Sequence, residues 1–191
     1  MARQKSNRTA LVGTLVIVAL MVLSSIGYLF KGSEKERYQG VTFTRQEDNR
    51  WHTTVNGKGM AFSYLPSQLE NINVSPDALA LIKGARMAYL TYDSGNRYRS
   101  DIALIALELN KLMWDDFQIY LSSGLTTENE FSQPVVTCAN ATAAMPVLFF
   151  TESEQSGIAL NNSCILFEGK TNLDYYLLKE RLLYSLYGIM P

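Results

Sequence analysis

From Ala10 to Phe30 the chain reads ALVGTLVIVALMVLSSIGYLF, 21 consecutive residues without a charge. At about 1.5 Å of rise per residue, a helix of this length crosses the roughly 30 Å hydrocarbon core of a bilayer. Whatever follows is therefore expected to be a domain tethered at a membrane. A cleaved signal peptide is the competing reading. Its apolar region usually runs only about 7 to 15 residues before a small-residue cleavage site, and Ser24, Ser25 and Gly27 offer weak positions for one. Length favours an uncleaved anchor.

Arg3, Lys5 and Arg8 precede the run and place the N-terminus in the cytoplasm, although Lys31, Lys35 and Arg37 follow it and weaken that bias. The compartment is indicated more strongly by cysteine. Cys138 and Cys164 are the only two in the chain. An even pair can close one disulfide, and disulfides persist outside the reducing cytosol; two buried free thiols are the alternative. Three Asn-x-Ser/Thr sequons follow the anchor, at Asn73, Asn140 and Asn161, and are candidate glycosylation sites on an exterior face.

The expected organisation is a basic cytoplasmic tail over residues 1–9, a transmembrane anchor over 10–30, a charged connector over 31–37 and one extracytoplasmic α+β domain over 38–191. With 47% hydrophobic residues the domain can bury an ordinary core. Tyr38–Arg45, Arg50–Val55 and Lys58–Leu65 read as a three-stranded meander. Asn56-Gly57 supplies a type I′ turn, in which both central residues need φ > 0. Ser75-Pro76 opens a short helix that ends at Gly84. Ala85–Tyr92, a helix capped by Ser100 or Asp101 and running to Asp116, and Gln118–Ser122 form a candidate βαβ unit. Met145–Phe150 is a further strand, Gly157–Leu160 and Cys164–Glu168 a hairpin, and Thr171 or Asn172 starts a final helix to Tyr187. That helix is apolar around most of its circumference, so it should pack into the domain.

The segments NGKGMAFSYLP (Asn56–Pro66), CANATAAMPVLFF (Cys138–Phe150), CILFEG (Cys164–Gly169) and LKERLLYSLYGIM (Leu178–Met190) together resemble a family of small, membrane-anchored, uncharacterised archaeal surface proteins. The resemblance implies a cell-surface setting and two cysteines that belong to the pattern. It brings no reaction, cofactor or catalytic residue with it.

Chemistry-bearing motifs are sparse. His52, the only histidine, lies in a hairpin strand with no nucleophile elbow anywhere to serve it. Cys138 and Cys164 stand 26 positions apart and one histidine cannot complete a zinc site. Asp115 and Asp116, with Glu108 on the same helix, suggest the paired carboxylates of glycoside hydrolysis. Adjacent helical residues point about 100° apart, however, so these two do not face one another. Asp93-Ser94-Gly95-Asn96-Arg97 lacks the further ligands of a calcium loop, and Gly57-Lys58-Gly59 the spacing of a phosphate loop. No cofactor and no metal are expected. Beyond the anchor, 17 basic residues less the three that precede it face 18 acidic ones, a net charge of −4 that does not suit nucleic acid.

Two classes of function remain. One is an interaction or accessory protein presented to another membrane or envelope protein; the other is a membrane-tethered hydrolase that uses His52 or carboxylates.

Overall fold

The computed structural model describes residues 11–23, 34–129 and 132–191, and the chain divides into two units, Met1–Lys35 and Glu36–Pro191. In the first unit, residues 11–23 form helix α1. Among the described residues no helix is long and apolar enough to cross a membrane. Ala10 and residues 24–30 of the expected anchor lie outside the described residues.

The second unit opens with a four-stranded antiparallel sheet in the order β1-β2-β3-β4: Lys35–Tyr38, Val41–Arg45, Trp51–Val55 and Lys58–Phe62. The expected meander of three strands therefore has four. A turn at Gln39-Gly40 with φ of 44° and 86° splits the anticipated first strand, and Lys35–Arg37, read as connector, are strand. The Asn56-Gly57 turn is as expected, with φ of 51° and 79°. Phe43, Trp51 and Phe62 alternate onto the inner face of this sheet and are buried.

The remaining strands are β5 (Asn73–Val74), β6 (Met87–Tyr92), β7 (Tyr120–Leu125), β8 (Val147–Glu152), β9 (Gly157–Asn161) and β10 (Cys164–Gly169). They form a mixed sheet in the order β5-β9-β10-β8-β6-β7, in which β10, β8, β6 and β7 are mutually parallel and β9 is antiparallel to β10. Helix α2 (Pro76–Gly84) is capped by the Ser75 hydroxyl, which accepts from the Ala78 N–H, as the Ser-Pro pair requires. Helix α3 (Arg99–Phe117) links β6 to β7 and completes the βαβ unit. It begins two or three residues earlier than the sequence suggests, behind Tyr98, without a side-chain cap. Helix α4 (Asn172–Leu186) is capped by Thr171, whose hydroxyl accepts from Asp174 N–H while the Asp174 carboxylate accepts from Thr171 N–H.

One face of the mixed sheet, carrying Leu90, Leu148, Phe150, Ile165 and Phe167, packs with Ile102, Ile105 and Leu109 of α3 and Leu178 and Leu182 of α4 in the main core. The alternate residues Tyr89, Val147, Phe149 and Leu166 form a second, smaller cluster with Val136 and Cys138. A disulfide between Cys138 and Cys164 fixes the covering loop to the start of β10. Gly124 of β7 permits that loop's close approach, since a Cβ there would lie 2.7 Å from the Pro134 carbonyl oxygen.

The bridge closes a loop across 26 positions. By chain entropy it contributes about 3–4 kcal/mol. A fragment of residues 36–191 carrying Cys138→Ala and Cys164→Ala should lose about that much stability in urea unfolding. A loss below about 1 kcal/mol would show that the loop needs no covalent tie.

Candidate interaction cleft

Helices α3 and α4 run side by side, and strand β4, the last of the small sheet, lies against both. Between them opens a cleft of ≈ 560 Å³. Met60, Phe62, Leu112 and Leu183 give it an apolar lining, while Arg50, Lys58, Lys111 and Lys179 alternate with Glu108, Asp115, Asp116 and Glu180.

Nearly all of this charge is internally matched. Asp116, buried at the end of α3, pairs with Lys58 of β4 and also accepts from the Tyr187 hydroxyl. Burial, and then the Asp116 contact, push the Tyr187 phenol well above its ordinary pKa. Lys179 Nζ lies 2.6 Å from Glu108 Oε2, and Lys111 pairs with Asp115 one turn along α3. The Lys111 hydrogen bond holds Asp115 below the usual carboxylate range. Glu180 is almost fully buried, and its two oxygens accept from the N–H groups of Ser63 at 2.8 Å and Tyr64 at 2.9 Å. Desolvation raises its pKa even though those two bonds oppose the rise. Arg50 donates to the Ala61 carbonyl, and among the described residues no carboxylate lies within ion-pair distance of its guanidinium.

Glu108, Asp115 and Asp116 thus reach one cleft, but each is committed to its own lysine. Asp115 and Asp116 point to different partners, as their spacing on a helix demands. His52 is not in the cleft; its ring lies 2.9 Å from Asp48 Oδ2 beside the β2–β3 turn. Asp93 accepts from Gly95 N–H at 2.6 Å within its own turn. Among the described residues no group of three or more His, Cys, Asp or Glu could hold a metal ion. The sequon residues Asn73, Asn140 and Asn161 are all exposed. The sequence reading did not anticipate Lys58, Lys179, Glu180 and Tyr187 as cleft residues. The available signal was the Lys179-Glu180-Arg181 triplet within a helix otherwise apolar enough to be core.

Open parallel sheets usually take ligands beyond the carboxyl ends of their strands, where neighbouring connections diverge. In this chain β6 and β8 meet that description, because β6 continues into α3 and β8 into β9. The nearby space is filled by Tyr175, fully buried, whose hydroxyl donates to the carbonyls of Thr151 and Gly169. Gly169 allows the fit: a Cβ there would stand 2.9 Å from the Tyr175 ring. Tyr98 donates to the Lys170 carbonyl at the same end of the sheet.

Comparison with known protein families, curated proteins and solved structures found no match.

The raised pKa of Glu180 has a definite sign in stability. A group held above its unfolded pKa favours the fold most at low pH, and that contribution is lost as pH rises through the folded value. In residues 36–191, the stability of wild type relative to Glu180→Gln should therefore fall as pH rises above the ordinary glutamate value and through the raised folded one, and level off beyond it. Urea unfolding across that range measures it, and a pH-independent difference would rule out a desolvated carboxylate at this position.

Proposed function

We propose that the protein is a membrane-anchored interaction or accessory protein whose α+β domain stands on the outer face of an archaeal cell membrane, where it meets another membrane or envelope protein. The observation that carries this reading is the commitment of the cleft carboxylates. Each is matched by a lysine or by backbone N–H groups, so no acid is poised beside a free base. The filling of the sheet's carboxyl end by Tyr175 supports the same conclusion. Exposed Leu104, Leu107 and Trp114 on α3 offer surface suited to a protein contact.

The compartment is supported by the Cys138–Cys164 disulfide, which a reducing cytosol would not maintain. The anchor is supported by the uncharged run Ala10–Phe30. By sequence spacing, a helix over that run would bring Ala10, Thr14, Ile17, Met21, Ser24 and Tyr28 to one face, where small and hydroxyl side chains permit close helix approach. The alternative of a tethered hydrolase draws on one fact, the convergence of Glu108, Asp115 and Asp116 on the cleft.

Protease added to intact cells should digest a C-terminal tag and spare an N-terminal one; the reverse pattern would overturn the orientation. Exchange of residues 10–30 for a polyleucine helix should weaken cross-linking to the membrane partner, whereas alanine at His52, Asp115 or Asp116 should leave it as in wild type. If one of those alanine variants remains folded and inserted yet loses function, the hydrolase reading takes over.

A further inference from the structure

We propose that β4 and α3 form a groove that binds an extended peptide of a partner protein by strand addition, with an acidic side chain of that peptide held by Arg50. This deepens the interaction reading and rests on it.

β4 is an edge strand among the described residues: it pairs with β3 on one side and with none of their strands on the other. The register fixes which main-chain groups face outward. Val55 and Lys58 close a two-residue turn, so they form a mutually hydrogen-bonded pair, and so do the pairs two residues further along, Thr53–Met60 and Trp51–Phe62. The N–H and C=O groups of Gly59 and Ala61 must then point away from β3. The surroundings agree, because the Ala61 carbonyl accepts from Arg50 outside the ladder and the N–H of Ser63, next in the same phase, donates to Glu180. Among the described residues the Gly59 N–H, the Gly59 carbonyl and the Ala61 N–H have no hydrogen-bond partner. These three groups can accept a complementary strand, one residue exchanging both bonds with Gly59 and another receiving the Ala61 N–H.

The opposite wall is helix α3, with Leu112 offering apolar contact and Glu108 and Lys111 on the rim. The ends are defined as well. Lys58 and Asp116 bridge the groove at one end, and the Glu180 carboxylate occupies the Ser63 and Tyr64 N–H groups at the other. Between these stops a strand of about three or four residues fits at roughly 3.3 Å per residue. Charge selects within that class. Lys58, Lys111 and Lys179 are already paired, whereas the Arg50 guanidinium spends one donor on a carbonyl and, although its charge also acts on Asp48, has no carboxylate within ion-pair distance among the described residues. A guanidinium has five donors, and a carboxylate matches the ones left over.

Ala61→Pro tests the groove directly. Proline removes the outward N–H and places its ring in the groove, but leaves the β3 ladder intact, because edge strands tolerate proline where the N–H faces out. Full-length protein in lipid nanodiscs is used to select peptides from a phage-displayed random dodecapeptide library, and the most enriched peptide is synthesised as the probe. It should carry an acidic residue, perturb the Gly59 and Ala61 amide resonances, and bind Ala61→Pro at least about tenfold more weakly, at unchanged melting temperature. If Ala61→Pro fails to fold, probes with single backbone N-methyl groups replace it: methylation of successive residues should weaken binding at alternate positions only. Equal binding to the variant, indifference to N-methylation, or no enrichment would overturn the groove. If partner cross-linking in cells nonetheless persists, the interaction reading survives with its surface elsewhere. If cross-linking is absent from wild type too, both fall.

Discussion

The joint on which the domain depends is the Glu180 carboxylate held across the N–H groups of Ser63 and Tyr64. Where β4 ends, the chain leaves the sheet with two main-chain donors and no further strand to receive them. Each buried N–H left unmet costs about 1–3 kcal/mol. One carboxylate meets both, and it comes from the middle of α4, so a single side chain ties the small sheet to the helix layer. Tyr184, one turn further, donates to the Tyr64 carbonyl and stacks its ring on Phe62 with centroids 4.1 Å apart. The polar joint and the aromatic packing thus fix the same stretch of chain from the same helix.

The neighbouring residues of α4 extend this logic. Lys179, Glu180 and Arg181 are all buried, on successive faces, and each finds different company. Lys179 turns to Glu108 on α3; Arg181 turns the opposite way, to the carbonyls of Ile72 and Pro191 and the Ser185 hydroxyl. Burial lowers the Arg181 pKa from its ordinary value, but carbonyls on two segments hold the guanidinium in place. A helix surrounded by the rest of the domain can keep three charges only if every face of it has a polar partner.

Local signals made much of this fold readable. Asn56-Gly57, Ser75-Pro76 and Thr171 with Asp174 each specify a turn or cap through their own chemistry, and the apolar stripe of α3 gave the crossover between β6 and β7. What could not be read depends on partners distant in sequence. In the first turn of the meander only Gly40 marks a positive φ, and Gln39 before it adopts a φ of 44° where asparagine or glycine is usual, so the turn was less legible than Asn56-Gly57. β5 is two residues long and exists because β9 lies beside it. In the cleft, carboxylate positions on α3 were visible, but their neutralisation by Lys58 and Lys179, 58 and 71 residues away in sequence, was not. At a helix C-terminus the dipole disfavours Asp116; Lys58 of β4 and the Tyr187 hydroxyl after α4 offset it.

The sheet edges differ in a way that bears on what the surface is for. An exposed edge invites pairing with other chains, and proteins commonly shorten, charge or cover it. β5 is short, and β1 carries Lys35, Glu36 and Arg37. On β7 the residues facing outward are covered at two points: Asn110 donates to the Leu121 carbonyl, and Leu125 is bridged by the segment around Val135. Among the described residues β4 keeps a run, Gly59-Met60-Ala61, without charge or proline and covered only where Arg50 reaches the Ala61 carbonyl, and that run lines a cleft. Three edges are guarded against indiscriminate pairing, and the fourth is open where helix α3 restricts what can enter. An edge left open in that setting is better explained by selection for one kind of strand than by neglect.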